Sequence, residues 1–309
     1  LLERRDAGCE RQRAVALEHL SGVRDRVLVG AEPLAGATVL DVGSGDGLIG
    51  LSALERVGPN GLVIFADISE ALLERCRQRV ASRGLLDRAR FVTAEAETLA
   101  DVADGSVDVV TTRSVLIYVA EKARAFTAFA RVLRPKGRIS LFEPINRLMF
   151  PEPEDRFWGY EVAAVADLAT KVKAQFVAGD SAFQRAIRGF DDRDLVRFAQ
   201  AAGFECVRSE CNITIEPGSL MNPVSFEALL DGAPNPNAPT TREAIAAALT
   251  EPQQERFLAE LKRAFTQGKP VRKMAGVYLV ASDPPAPSYR TAKPPASPRD
   301  PDRRRRSAR

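Results

Sequence analysis

Val39-Leu-Asp-Val-Gly-Ser-Gly-Asp-Gly47 decides the fold of this 309-residue chain. Val39 to Val42 is a short apolar run of the kind a strand buried on both faces needs. Gly43, Gly45 and Gly47 follow at alternate positions, so the backbone can turn tightly and approach a ligand closely. A helical pattern starts near Leu48. Strand, glycine loop and helix in that order suit a nucleotide-like ligand lying over the carboxyl end of a strand.

Gly45-Asp-Gly47-Leu-Ile-Gly50 also fits the dinucleotide fingerprint G-x-G-x-x-G, which keeps an NAD-type oxidoreductase open as the alternative. Against it stand Asp41 and Asp46, which bracket the loop where a pyrophosphate would lie. S-Adenosylmethionine (SAM) has no phosphate and brings an ammonium and a sulfonium, a cargo that suits an acidic loop. Here the chain resembles the class I SAM-dependent methyltransferases, whose first motif sets an acid two positions before a G-x-G-x-G loop.

The resemblance continues in order. Val63-Ile-Phe-Ala-Asp67 is an apolar run ending in an acid. In the family such a carboxylate accepts hydrogen bonds from the ribose hydroxyls. Phe91-Val-Thr-Ala-Glu95-Ala96-Glu97 resembles the third strand and the acid that takes the adenine amino group, with Ala94 where the family usually has glycine. Val107 to Arg113 resembles the fourth strand, and Leu133-Arg-Pro-Lys-Gly137 leads into the fifth, ending Phe142-Glu143-Pro144. The match spans residues 37–145 and implies SAM as cofactor. It assigns cofactor contact to Asp41, Gly43, Ser44, Gly45, Asp67, Ile68, Glu95, Ala96 and Arg113. The core is most similar to the small-molecule branch that includes ubiquinone and menaquinone C-methyltransferases.

The strand–helix alternation predicts an α/β, Rossmann-like sheet of seven mostly parallel strands, with helices on both faces and an antiparallel edge hairpin from Cys206–Ile215 and Val271–Ala281. Residues 1–35 read as a helical cap over the cofactor, and 36–145 as the SAM-binding core. Residues 146–190 form a helical lid insertion with a stripe of Trp158, Val162, Val165, Val172 and Phe176. Residues 191–283 complete the core and carry a second insertion, 216–270, opened by the capping boxes Thr240-x-x-Glu243 and Thr250-x-x-Gln253. Asp191-Asp192 caps a further helix that stops at Gly203.

Charge is divided unevenly. Residues 284–309 hold eight Lys or Arg against two Asp, so they carry +6 and leave −3 to the rest of a chain whose formal charge is +3. With seven of the twenty prolines, that stretch reads as a disordered basic tail. The remainder shows no basic stripe, which argues against a nucleic-acid substrate. No apolar run is long enough for a membrane span and no signal peptide opens the chain. Four scattered cysteines make neither a disulfide framework nor a CxxC metal site, so no metal is expected and a cytoplasmic home is. An excess of Arg over Lys, 36 to 8, is compatible with a GC-rich bacterial genome.

Methyl transfer from a sulfonium demands alignment and exclusion of water, and a base only where the acceptor must lose a proton. Glu143, at the end of the fifth strand, is the candidate to touch an acceptor, and Tyr118, four residues after Ser114 past the fourth strand, is a second catalytic candidate. Asn146, Trp158 and Tyr160 are candidate substrate contacts. His19, the single histidine, falls in the N-terminal helix. The fourth strand runs into Thr-Thr-Arg-Ser rather than a Pro-Pro-aromatic motif, which ranks down DNA amino-methylation. A small-molecule acceptor is the resulting expectation, with a SAM-binding protein lacking activity as the non-enzyme alternative. The residues leave the oligomeric state open.

Overall fold

The structure, a computed structural model, describes residues 10–176, 186–218, 223, 225–234 and 238–282, with side chains from residue 20 onward. Five parallel strands form in the first half: β1 (Thr38–Val42), β2 (Leu62–Asp67), β3 (Ala89–Thr93), β4 (Val107–Arg113) and β5 (Leu133–Pro144). Two-residue strands β6 (Arg156–Phe157) and β7 (Tyr160–Glu161) make a separate hairpin. β8 (Cys206–Pro217) and β9 (Val271–Ser282) close the main sheet in the order β3-β2-β1-β4-β5-β9-β8. β9 runs antiparallel to both neighbours. Strand order reverses beside β1, with β2 on one side and β4 on the other, so a crevice opens at the carboxyl ends there.

Helices α1 (Glu10–Ala31), α2 (Leu48–Val57) and α3 (Glu70–Ala81) pack with one sheet face, burying Val27, Leu28, Leu54, Phe65 and Val80 together. α4 (Lys122–Val132) packs on the other face, followed by the short α5 (Asn146–Met149) and by α6 (Ala166–Gln175) in the lid. α7 (Asp192–Ala201) joins α4, and Phe126, Phe129 and Leu195 share a core with Val110 and Leu279. Asp191 opens α7 with the foreseen cap, accepting from the N–H groups of Arg193 at 3.0 Å and Asp194 at 3.2 Å. Asp194 answers with a carboxylate on the N–H of Asp191.

Two expectations change. The described side chains of α1 pack on the sheet rather than over a ligand: Val23, Val27, Leu28 and Ala31 are buried there, and Ser140 Oγ donates to Val27 O at 2.7 Å. The side chains of residues 10–19, His19 among them, lie outside the described set, as do residues 284–309. The helix foreseen from Trp158 to Phe176 also starts later, with a 3₁₀ turn at Ala163–Val165 running into α6. Trp158 (φ 51°) and Gly159 (φ 86°) instead form the tip of the β6–β7 hairpin, both with the positive φ of a type I′ turn. The Glu152 carboxylate holds that tip, accepting from the N–H of Trp158 at 2.8 Å and of Gly159 at 2.7 Å.

The second insertion contributes α8 (Phe226–Asp231), α9 (Thr241–Ala248) and α10 (Glu251–Gln267), the last two opening with capping boxes. Phe157, Trp158 and Val172 of the first insertion share one apolar core with Ile245, Phe257 and Leu261 of the second. The two insertions therefore build a single lid layer. No helix among the described residues is long and apolar enough to cross a membrane.

Candidate active site

The glycine loop at the end of β1 is fastened from below and from the side. Asp41, buried under it, accepts from Gly50 N–H and Thr111 Oγ1 at 2.9 and 3.0 Å, and burial pushes its carboxyl up to about 7. Asp67, at the end of β2, takes Gly45 N–H on one oxygen and Ser69 N–H on the other, both at 2.9 Å. Asp41, Gly43, Ser44, Gly45, Asp46 and Arg113 line one cleft. Asp46 is not a bare charge there, because Arg79 pairs with it at 2.8 Å. The loop's acidity is thus weaker than the sequence implied.

Three observations fit SAM to this cleft. Ser44 Oγ is buried in its wall with no hydrogen-bond partner among the described residues, a cost that a polar ligand group would remove. Ile68, next to Asp67, is 73% exposed, a large apolar side chain left uncovered where a base would stack. Glu95 stands exposed at the end of β3, beside the buried Ala96, and Ala94 N–H donates to Asp67 O at 3.1 Å to hold the two strand ends in step.

Gly43 needs to be glycine for two reasons. Its φ is +64°, and a Cβ there would stand 2.1 Å from Val115 Cγ2. Gly43→Ala is expected to cost about 1–3 kcal/mol and to weaken SAM, read by denaturant melts and calorimetry. Gly45→Ala adds an atom with nothing within 4 Å and should be the milder change; equal effects would show that φ alone, not the Val115 contact, matters.

Past β4 the chain turns sharply, with Ser114 at φ 55°. Glu143 governs this turn. It is 0% exposed, and its carboxylate accepts from the N–H groups of Val115 (2.9 Å), Leu116 (3.0 Å) and Ile117 (3.2 Å). Burial raises its pKa to about 7 while those three donors pull the other way. Its oxygens face backbone, so the expected contact of Glu143 with an acceptor gives way to a positioning role. Strand-end location was legible, but the loop folding back over it was not.

Beyond this turn lies a cavity of about 680 Å³ between the core and the lid layer. Among the described residues, Ile117, Tyr118 and Asn146 line it from the core, and Phe150, Phe157, Trp158 and Phe176 from the lid. Tyr118 is 48% exposed. Three of the candidates named from the sequence, Tyr118, Asn146 and Trp158, thus line one cavity. Tyr160 is not among its lining residues; its ring packs 5.5 Å from that of Phe265 in the lid core. Glu152, Lys173 and Arg188, which also line the cavity, were missed, since no local pattern marks them. Cys206 and Cys211 are both exposed on β8, and their odd spacing points them to opposite sides of the strand.

Known proteins resemble this chain in sequence and fold. The family model described as a methyltransferase domain matches residues 34–200. The ubiquinone/menaquinone biosynthesis C-methyltransferase of Pseudomonas putida is 38% identical over 133 residues, 42% of this chain and 48% of that protein. The enzyme of the same name from Azotobacter vinelandii is 32% identical over 193 residues, 61% of this chain and 70% of that protein. The match thus spans about half the length of the Pseudomonas relative and somewhat more of the Azotobacter one. A crystal structure of a Bacillus halodurans C-125 protein assigned as a methyltransferase has the same fold, with a TM-score of 0.51 and 16% identity over 85% of this chain and 99% of that one. Taken with the ordered strand-end acids and the glycine loop, the domain match over more than half its length shows that this chain belongs to the class I SAM-dependent methyltransferases.

Proposed function

We propose that the protein transfers a methyl group from SAM to a small, ring-bearing molecule seated in the lid cavity. The observation that carries this reading is the segment after β4. Arg113 at its start lines the cofactor cleft, and Ile117 and Tyr118 at its end line the cavity. One short turn, held by Glu143, therefore borders both sites. A cavity of about 680 Å³ walled by four aromatic rings of the lid suits a flat apolar molecule.

SAM supplies a methyl group already bonded to a good leaving group. What remains for the chain is holding, aligning and drying. Asp67, Ser44 and Ile68 hold the cofactor, and the turn fixed by Glu143 sets the distance between the sites. Tyr118 is the hydroxyl placed at the junction to touch the acceptor. The names of the relatives favour a quinone ring carbon as the methylated atom, and the aromatic walls agree with a ring. A cytoplasmic setting is part of the same proposal.

Calorimetry tests the cofactor: SAM and S-adenosylhomocysteine should bind and NAD should not. Dinucleotide binding without SAM binding would sink the reading, and SAM binding without turnover on any ring acceptor would favour a non-catalytic role. A mutant pair tests the cavity. Trp158 Nε1 donates to Thr241 Oγ1 at 2.9 Å, so Trp158→Phe should cost about 1 kcal/mol of stability and raise acceptor KM severalfold. Tyr160→Phe should leave acceptor kinetics unchanged, because its ring stands in the lid core. Normal KM in the Trp158 variant would move the acceptor elsewhere.

A further inference from the structure

The charged side chains lining the cavity are not equivalent. Glu152 spends both oxygens on the hairpin tip. Lys173 donates to the carbonyl oxygens of Pro153 at 2.8 Å and Arg156 at 3.0 Å, and it faces Glu152, Asp155 and Glu154. That side of the cavity has its acids and its cation together, and Glu154 is solvent-exposed, where water screens it. Arg188 differs. It is partly buried in the wall, yet it makes no hydrogen bond or ion pair among the described residues. Of the carboxylates that follow it, Asp191 caps α7 and faces Arg147 at 3.8 Å and Asp194 pairs with Arg197 at 2.6 Å, while Asp192, in the first turn of α7, makes no ion pair with Arg188 among the described residues.

The backbone around Arg188 is pinned as well. Lys122, buried under the turn after β4, donates to Ala186 O at 2.9 Å and to Val119 O at 2.8 Å. Its ammonium stands 4.7 Å from the ring centre of Phe190. Asn146 Nδ2 donates to Ile187 O at 3.2 Å. Residues on both sides of Arg188 are thus fixed to the core, so little backbone ordering remains to be done when a ligand arrives. An arginine on a backbone held this way, lining a cavity with apolar rings and without a counter-ion among the described residues, is a receptor for a planar anion.

We infer that the acceptor carries a negatively charged group on its apolar ring skeleton, and that Arg188 receives that group. The inference rests on the reading of the cavity as the acceptor site, and it adds a chemical class that the relatives' names do not contain. Aromatic contact with Phe157, Trp158 and Phe176 would supply affinity for the ring, while Arg188 would choose the orientation, placing the end remote from the charge toward the turn that borders SAM.

Trp158 is the chain's single tryptophan and lines this cavity, so its fluorescence reports occupancy. The probes are 8-anilinonaphthalene-1-sulfonate and N-phenyl-1-naphthylamine, which share a ring skeleton and differ in the sulfonate. The full chain should bind the anion at least tenfold more tightly, with quenching of Trp158. Arg188→Gln should bring the two affinities within about twofold, and Arg188→Lys should keep part of the preference, because the charge stays while the forked geometry goes. Absence of Trp158 quenching by the anion, equal affinities in the unmodified chain, or a preference that survives Arg188→Gln overturns the inference. SAM titration of the same samples separates the two levels: failure of SAM to bind sinks the proposed activity, whereas these probes report only on the cavity.

Discussion

Asp67→Ala is expected to weaken SAM binding about a hundredfold while leaving the chain folded. The carboxylate is 8% exposed at the carboxyl end of β2 and spends one acceptor position per oxygen, one on Gly45 N–H of the glycine loop and one on Ser69 N–H at the start of α3. A carboxylate offers about four acceptor positions, so about two remain, enough for the two ribose hydroxyls. Hydrogen bonds to a charged group contribute roughly 1.5–3 kcal/mol each. Losing two at the low end is about 3 kcal/mol, and each 1.4 kcal/mol is tenfold. The glycine loop also loses its side anchor, which adds to the effect on affinity rather than to global unfolding, since Asp41 still holds Gly50 from below. Asp67→Asn keeps one acceptor oxygen but turns an amide NH₂ toward a backbone N–H, so it should fall between. Calorimetry with a parallel thermal melt decides. Unchanged affinity in a folded Asp67→Ala chain excludes the ribose role.

That expectation could be framed from the sequence because the core follows local rules. The apolar run Val39–Val42 and the run ending in Asp67 became β1 and β2 within a residue, and the caps read at Asp191, Thr240 and Thr250 all formed, since a cap needs only its own helix. What was illegible is non-local. Trp158, Val162, Val165, Val172 and Phe176 fall on a helical stripe by spacing, yet Trp158 sits at a hairpin tip with positive φ. Glu152 holds the tip's N–H groups, and Gly159 approaches Val271 O so closely that a Cβ would lie 2.7 Å away. Buried residues on both faces of a hairpin imitate a helical period. Asp46 read as a free loop charge because Arg79 lies 33 residues on. Glu143 was placed at the right strand end and given the wrong partner for the same reason: the atoms that claim it are 26 to 28 residues earlier. Strand ends are written locally, whereas the partners of the side chains there are set by which loop folds back.

Glu143 gives the second large effect, through pH. Its carboxyl is wholly buried, and burial raises its pKa from 4.5 to about 7. Between those values the folded chain keeps a proton there that the unfolded chain has released, so stability is fullest below about pH 4.5 and falls as pH rises through 7. The rise corresponds to about 3 kcal/mol. Asp41, raised from 3.8 to about 7 by burial, acts in the same direction. Urea melts of the unmodified chain should therefore show unfolding free energy decreasing between about pH 5 and 7 with a slope approaching two protons. Glu143→Gln removes one of them and should halve the slope. At pH 5 the variant should still be less stable by about 1–3 kcal/mol, because its amide NH₂ meets a backbone N–H of the turn instead of accepting from it. The same displaced turn carries Ile117 and Tyr118 into the cavity wall, so acceptor KM should rise in the variant more than the SAM dissociation constant does. An identical slope in both proteins would mean that Glu143 stays ionised in the fold, its three N–H donors outweighing its burial.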